Sequence, residues 1–443
     1  MGKIFRYTLP VLVSFLFIGC KEKEPNVLRN SDINKVIQNM TDVMVHDVTN
    51  PPLAARFYTY TCLAGYEVMS QNNSGFKSMH GVLNDYPLIA EEKSLKGYSS
   101  SLAAVLAMFK TAQKLQPSGF MMKDFEKIFI DSCRKAGFAE ETISLSGAYA
   151  DAVSKQILTY AKKDGYNKIS NMPRYRVDHK RGSWALTPPA YIPPVEPYFY
   201  MIRKMTLDSA AQFGPRSPAE FSKDKNSRFY RLILANHAKG AKDLTQEETD
   251  IANFWDCNPF AVQNEGHMLI GLKKISPGAH WMGITGIACR KANKTFSQTM
   301  EIFMVESVGL LDSFISCWQA KYQTNRIRPE TAIRAIIDPD WKPFLQTPPF
   351  PEYPSGHSVI SSSSAVILNH YFGNDFGFND DVEVKFGIPP KQFRSFEQAA
   401  NEAGISRFYG GIHFEDAIQN GLVQGGQIGS YVLQKMAGPN RRF

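Results

Sequence analysis

Apolar residues recur at helical spacing along most of this 443-residue chain, and the alternation typical of half-buried strands is scarce. The pattern is found in residues 33–44, 56–70, 85–115, 121–136 and 140–163. The sequence therefore predicts an all-α fold. Because 43% of the residues are apolar, a chain of this length can bury a large core, which excludes a disordered or collagen-like protein.

A long segment rich in proline and tyrosine, residues 165–225, interrupts the helical pattern and predicts an ordered irregular wrap over the helices. Helices resume after the capping box of Thr245 and Glu248. We expect later helices at about 297–322, 358–372 and 414–436, the last with Gly421, Gly425 and Gly429 at four-residue spacing, which allows a close neighbour. The predicted architecture is two packed helical bundles, residues 28–224 with the wrap and residues 225–443.

The first residues resemble an export signal. A basic start at Lys3 and Arg6 precedes an apolar run, Pro10–Ile18, and the pair Gly19-Cys20. We predict a lipoprotein signal peptide at residues 1–19, lipidation of Cys20 and a tether at residues 20–27. An ordinary cleaved signal peptide is the alternative. The expected location is the outer membrane, the cell surface or the periplasm.

No later segment of the sequence predicts a membrane span, because the longest apolar candidate, residues 302–318, is interrupted by Glu306 and Asp312. We therefore expect membrane contact through a lipid anchor only. The formal charge of +8, from 50 basic and 42 acidic residues, is too diffuse to indicate nucleic-acid binding. A recessed anion site remains compatible with this charge. The oligomeric state cannot be read from the sequence.

Five cysteines follow Cys20, and no two of them have the C-x-x-C spacing of common zinc sites. Their odd number gives no deducible disulfide framework. We expect several of them to be buried small apolar side chains.

Three short segments in the last third of the chain carry cations, hydrogen-bond donors and imidazoles. In the first, Lys321 and Arg328 are seven residues apart, so they would share one helix face if the helix continued to Pro329. A solvated basic face is the alternative. The second segment is Pro354-Ser355-Gly356-His357 at the start of a helix, where a hydroxyl, an open amide and the helix N-terminus form an anion cradle. A simple serine N-cap is the alternative there.

The third segment places Arg407 and His413 on either side of the Gly410-Gly411 turn, which can fold one side chain back towards the other. A structural histidine is the alternative. Taken together, K-x6-R-P, P-S-G-H and S-R-x5-H in this order resemble the superfamily of vanadium-dependent haloperoxidases and type-2 phosphatidic acid phosphatases. The specific motifs cover residues 318–413.

The resemblance implies a bound vanadate or phosphate, clamped by Lys321, Arg328, Arg407, Ser355 and Gly356. It implies that His413 is the metal ligand of a haloperoxidase or the phosphorylated nucleophile of an acid phosphatase. His357 would be the acid/base. Lys321 would also act in catalysis by polarising bound peroxide. Asp256 resembles a carboxylate that pairs with a clamp arginine.

Trp318 and Phe350 resemble the halide-side wall of haloperoxidases, although both could simply be core aromatic residues. Phosphatases of the superfamily and some haloperoxidases have an aspartate four residues after the last histidine, where this sequence has Ala417. The resemblance implies that a metal-bound His413 tolerates the loss of this orienting carboxylate better than a nucleophilic one. Asp416 is expected only to favour a helix N-terminus electrostatically. The predicted function is therefore vanadate-dependent oxidation of a halide, iodide or bromide, by hydrogen peroxide. An acid phosphatase is the alternative, and a non-enzymatic anion-binding lipoprotein is the third reading.

Overall fold

The computed structural model describes residue 2 and residues 28–438 apart from 179, 242, 266, 267 and 273. The predicted all-α fold is confirmed. The described helices are α1 Asn30–His46, α2 Pro51–Asn72, α3 Ser100–Leu115, α4 Gly119–Lys135, α5 Glu140–Lys162, α6 Tyr166–Ile169, α7 Arg228–Lys239, α8 Gln246–Phe254, α9 Pro277–Lys291, α10 Phe296–Thr324, α11 Pro329–Ile336, α12 Gly356–Phe372, α13 Phe396–Tyr409 and α14 Glu415–Ala437.

Two short antiparallel hairpins are the only sheets among the described residues, and 3-10 turns lie at Phe199–Met201 and Val384–Phe386. One hairpin pairs β1, Val262–Glu265, with β2, Met268–Gly271. The other pairs β3, Phe378–Asp380, with β4, Lys391–Phe393. The strands therefore lie in local connections between helices and do not form the core.

One helix of the N-terminal half begins later than predicted. The pattern indicated a helix over residues 85–115, whereas α3 starts at Ser100, because Ser99 caps it by accepting the amide of Leu102. The residues before it are irregular: Asp85 has a positive φ of 52° and Pro87 has no amide hydrogen to donate. Local backbone chemistry overrides the apolar spacing there.

The wrap of residues 165–225 is irregular apart from α6 and a 3-10 turn, and several hydrogen bonds hold it to the C-terminal half, those at Asp312 and Val195 among them. The buried carboxylate of Asp312 accepts the amides of Met205 and Thr206, both at 2.7 Å. The carbonyl of Val195 accepts the indole N–H of Trp318 at 3.1 Å and the hydroxyl of Tyr322 at 2.7 Å. These bonds satisfy loop amides and carbonyls that would otherwise be buried without partners.

A single cluster of buried apolar side chains extends from Leu28 to Met436 and includes residues of both halves. Helix α2 is buried around most of its surface and packs against α10 of the C-terminal half. The boundary near residue 224 therefore does not separate two cores, and the division into two domains stays a prediction. The capping box of Thr245 and Glu248 is present at the start of α8.

The five described cysteines, Cys62, Cys133, Cys257, Cys289 and Cys317, are all buried and unpaired, as expected for small apolar side chains. Cys20, the tether and the predicted signal peptide other than residue 2 lie outside the described residues. Every helix of the described part of the chain is too short or too polar to cross a membrane.

Helices α12 and α14 pack closely because glycines of α14 face the backbone of α12. A Cβ atom at Gly425 would lie 2.1 Å from the carbonyl oxygen of Val359, and one at Gly429 would lie 2.7 Å from that of Ser363. The contact positions the start of α12, where Ser355, Gly356 and His357 lie. The four-residue glycine spacing of the sequence is thus explained by helix packing.

We predict that Gly425→Ala lowers the free energy of unfolding by about 1–3 kcal/mol, because the added methyl group must push α12 away. Chemical denaturation measures this change. Gly426→Ala is the matched control, since its Cβ would meet only the Ser362 hydroxyl at 3.3 Å. That variant should change stability by less than about 1 kcal/mol. Equal losses in both variants would contradict the packing argument.

Candidate active site

Lys321 lies in the last turn of α10 and is fully buried. Its ammonium group donates to the carbonyl oxygens of Pro351, Glu352 and Pro354 at 3.1, 3.0 and 2.5 Å. These carbonyls occupy all three of its donors. Direct contact with an anion would therefore require Lys321 to exchange one carbonyl. In this structure Lys321 mainly contributes positive charge and holds the 351–354 loop.

Arg328 does not share a helix face with Lys321, contrary to the prediction. Helix α10 ends at Thr324 because Asn325 adopts a left-handed conformation with φ 46°, and Arg328 is the residue that precedes α11. Its Nε and Nη1 atoms donate to the carbonyls of Phe350 and Ile412, both at 2.9 Å. Its buried Nη2 atom has no partner. Lys321 and Arg328 therefore approach each other because the chain turns at Asn325, and not because they share a helix face.

The second motif begins α12. Ser355 is the N-cap of α12, and its hydroxyl oxygen accepts the amide of Ser358 at 3.3 Å, which confirms the capping role. The hydroxyl hydrogen of Ser355 can still be donated to another group. A Cβ atom at Gly356 would meet nothing closer than 3.9 Å, which leaves open space beside this amide. The buried Nε2 atom of His357 has no partner.

The third motif brings Arg407, in the last turn of α13, next to His413. The turn contains Gly411 with φ 72°, and the amides of Ile412 and His413 both donate to the Arg407 carbonyl, at 3.1 and 3.2 Å. The Nη1 atom of Arg407 donates to the Trp255 carbonyl at 2.5 Å, and its buried Nε atom has no partner. Its Nη2 atom lies 3.7 Å from a carboxylate oxygen of Asp256, which is the pairing expected from the sequence.

His413 is held by a carboxylate that sequence reasoning missed. Its Nδ1 atom lies 2.9 Å from Glu352, which also accepts the amide of Phe414 at 3.0 Å. Its Nε2 atom lies 3.1 Å from Nη1 of Arg328. Because arginine only donates, Nε2 must accept, and the imidazole proton must be on Nδ1 facing Glu352.

His413 therefore has an orienting carboxylate, although position 417 is an alanine. Glu352 replaces the family's aspartate from a different segment, directly before the P-S-G-H motif. The position of Glu352 in the segment P-E-Y-P was the only sequence signal for this role. Asp416 lies in the first turn of α14, as expected. Its carboxylate also accepts from Arg326 at 2.7 Å, and Arg326 lies 3.3 Å from Glu352.

The site has an excess of buried positive charge. Burial, reinforced by nearby positive charge, lowers the pKa of Lys321 to about 7 and that of Arg328 to about 9. Burial also lowers the pKa of Arg407. Burial raises the pKa of Glu352 to about 7, while the Arg326 charge opposes this rise. The carbonyls around Lys321 favour its charged form.

Both imidazoles are kept neutral. Burial holds the pKa of His357 well below its ordinary value of 6.5, and the charge of Arg407 adds to this. Burial and the charges of Arg328, Lys321 and Arg407 do the same for His413. A neutral His357 can accept a proton, and a neutral His413 presents the Nε2 lone pair.

A cavity of about 30 Å³ lies at the meeting point of the motifs. By the usual volume of buried water, it has room for about two water molecules, which suits a small inorganic ion. Its wall includes Gly356, His357, Arg407, His413, Trp318 and Phe350.

Trp318 and Phe350 are both core residues and cavity residues. They are almost fully buried, their ring centroids are 5.0 Å apart, and both line the cavity. The Phe350 ring centroid also lies 5.1 Å from the Lys321 ammonium and 5.1 Å from the Arg328 guanidinium carbon. This ring therefore makes a weakly favourable contact with each of the two cations.

The residues fit a tetrahedral oxyanion. Arg328 Nη2 and Arg407 Nε are buried donors without partners, beside an open helix N-terminus at Gly356. Unpaired buried donors are costly, and an anion with several oxygen acceptors would satisfy them. Lysine and arginine donors repel a simple cation, so the arrangement selects an anion.

Comparisons with known proteins agree with this geometry. Residues 301–440 match the model of the VCPO second helical-bundle domain. The crystal structure of a bacterial vanadium-dependent iodoperoxidase is similar with a TM-score of 0.88 and 40% identity, covering 94% of this chain and 98% of the other. No curated protein matches the sequence.

Two structures of bacterial vanadium-dependent chloroperoxidase, holo and apo, share the fold at TM-score 0.63 and 15% identity. They cover 88% and 87% of this chain and 94% of their own chains.

We predict that Glu352→Gln raises the Kd for phosphate or vanadate by about 10–100-fold, because an amide holds the Nδ1 proton of His413 less firmly. Isothermal titration calorimetry measures the Kd. Glu330→Gln is the control, since this buried carboxylate accepts from Thr347 and Arg334 instead. The same Kd in the wild type and in Glu352→Gln would contradict the positioning role.

We also predict that His357 makes the protein sensitive to acid. Its folded-state pKa is depressed, so the unfolded chain binds the extra proton and stability is lost as pH falls below about 6.5. Replacing His357 by Asn should therefore reduce the loss in the free energy of unfolding by up to about 1.4 kcal/mol per pH unit between about pH 6 and about pH 5. Urea denaturation at several pH values measures it. His370→Asn, at the exposed end of α12, is the control and should leave the slope unchanged.

Proposed function

The chain belongs to the vanadium-dependent haloperoxidases, and we propose that it uses bound vanadate to oxidise iodide, and more slowly bromide, with hydrogen peroxide. The observation that carries the proposal is the set of unpartnered cationic donors around His413, whose Nε2 lone pair is free of a proton. The preference for iodide is supported by the 40% identity to a protein described as an iodoperoxidase. The product would be hypohalous acid.

We assign the vanadate contacts to this chain's own atoms. Arg328 would donate through Nη2 and Arg407 through Nε, the Gly356 amide and the Ser355 hydroxyl would donate as well, and His413 would be the metal ligand through Nε2. Lys321 would add its charge and, after exchanging a carbonyl, one donor. Bound vanadate supplies Lewis-acid activation of hydrogen peroxide without a change of oxidation state.

Proton transfer is assigned to His357. Its Nε2 atom is buried, unpartnered and on the cavity wall, and its low pKa keeps it able to take a proton from peroxide. The Trp255 carbonyl hydrogen-bonds to both His357 and Arg407 and so fixes the base relative to a clamp arginine. Trp318 and Phe350 keep bulk water out of the small cavity where halide would enter.

A phosphatase activity is the second candidate, and one observation favours it. The Glu352–His413 pair is the arrangement that a nucleophilic histidine needs, because the carboxylate holds the Nδ1 proton and leaves Nε2, which here accepts from Arg328, unprotonated. Glu352 therefore supplies a carboxylate that phosphoryl transfer through a histidine requires. Hydrolysis of p-nitrophenyl phosphate with inhibition by vanadate would reveal this activity.

We predict that the protein, reconstituted with orthovanadate, oxidises iodide in a peroxide-dependent assay with a phenolic dye, faster than bromide. His413→Ala should abolish both vanadate binding and oxidation. His357→Ala should keep bound vanadate but lose about 10²–10⁴-fold in rate, the usual contribution of an acid/base group. The exposed His370→Ala is the control and should be fully active.

The outcomes separate the candidates. Absence of vanadate-dependent turnover with every halide would rule out the haloperoxidase proposal. Phosphate ester hydrolysis that vanadate inhibits, with no halide oxidation, would establish the phosphatase instead. Full activity in His413→Ala would contradict both mechanisms.

A further inference from the structure

A second group of potential metal ligands lies beside the oxyanion site: Cys257, His280 and Glu383. Cys257 follows α8, His280 lies in the first turn of α9, and Glu383 precedes the 3-10 turn Val384–Phe386. The Cys257 sulfur is 3.3 Å from Nδ1 of His280 and 3.3 Å from a Glu383 oxygen, and these last two atoms are 3.4 Å apart. All three residues are buried.

The spacing of the three donor atoms fits one tetrahedral ion. Zinc bonds of about 2.0–2.3 Å to sulfur, nitrogen and oxygen, at tetrahedral angles, separate neighbouring donors by roughly 3.3–3.6 Å. The three observed separations, 3.3, 3.3 and 3.4 Å, lie at the lower end of this range. One thiolate, one imidazole and one carboxylate form a donor set that zinc accepts.

The histidine is oriented as a ligand would be. The Nε2 atom of His280 lies 2.8 Å from the buried carboxylate of Asp380, so Nε2 carries a proton and Nδ1 faces the cysteine and the glutamate. Its ring stacks on Trp255, with centroids 4.8 Å apart, and this fixes the plane of the imidazole. Such an outer carboxylate is typical of metal-bound histidines.

Charge also favours a cation here. His280 is the ion-pair partner of both Asp380 and Glu383 within the described residues. Two buried carboxylates around one imidazole leave an excess of negative charge, which becomes larger when the thiol ionises. A divalent cation would offset that excess. In this structure the Cys257 thiol donates to Glu383.

We propose that Cys257, His280 and Glu383 bind a zinc ion, with water as the fourth ligand. Binding releases the thiol proton to solvent, and no atom changes its oxidation state. The site is distinct from the oxyanion site, whose side chains are donors and cations. It links α9 and the loop after β3 to the 255–260 segment, whose Trp255 carbonyl holds Arg407 and whose Cys257 lines the cavity.

Metal analysis of the purified, tag-free full chain tests the proposal. After incubation with zinc and dialysis, we expect about one zinc ion per chain, bound independently of vanadate. Cys257→Ala should lose this zinc. Cys289→Ala is the matched control, because Cys289 is also buried and unpaired but lies at the other end of α9, and it should keep the zinc. His413→Ala should keep it as well.

Cobalt substitution gives a second readout on the wild-type chain if Cys257→Ala does not fold. A tetrahedral cobalt ion bound by a thiolate should give an intense visible spectrum with a sulfur-to-cobalt charge-transfer band. Absence of this band, absence of stoichiometric zinc, or full zinc retention in Cys257→Ala would each overturn the proposal. Because the readout is metal content and not turnover, the result does not depend on the haloperoxidase assay.

Discussion

The burial of three cations, one on the wall of a small cavity and two against its Phe350 ring, is the constraint on which the rest of the site depends. Lys321, Arg328 and Arg407 are at most 1% exposed. Removing such charges from water costs several kcal/mol each unless partners compensate. Backbone carbonyls provide part of the compensation, which explains why irregular loops converge on this point. The two donors that remain without partners define what the cavity can hold.

Irregular segments of the fold provide the groups that compensate these buried cations. The 348–354 loop supplies carbonyls to Lys321 and Arg328 and the carboxylate of Glu352 to His413. The N-terminal half closes over α10 through the Val195 carbonyl and the bonds to Asp312. A rigid scaffold of helices thus holds loop atoms at fixed positions, as preorganised electrostatic stabilisation requires.

Much of the site could be predicted because the motifs carry the charged residues in a recognisable order. The structure brings Arg407, Gly356, His357 and His413 to one cavity, and Lys321 and Arg328 both contact the ring of Phe350, which lines it. Two features could not be predicted. The helix break at Asn325 depends on a single left-handed residue, and the partner of His413 comes from 61 residues earlier in the chain. Neither has a local sequence signal strong enough to identify it.

The sequence by itself determined most of the helices and the candidate residues for an oxyanion site, because helical periodicity, capping residues and glycine turns act over short stretches of chain. Only the tertiary structure decided the proton positions, the protonation of the histidines and the meeting of Cys257, His280 and Glu383. These properties depend on distances between atoms that are far apart in the chain, and on the loss of water around them. The spacing of residues along a sequence records neither these distances nor the loss of water.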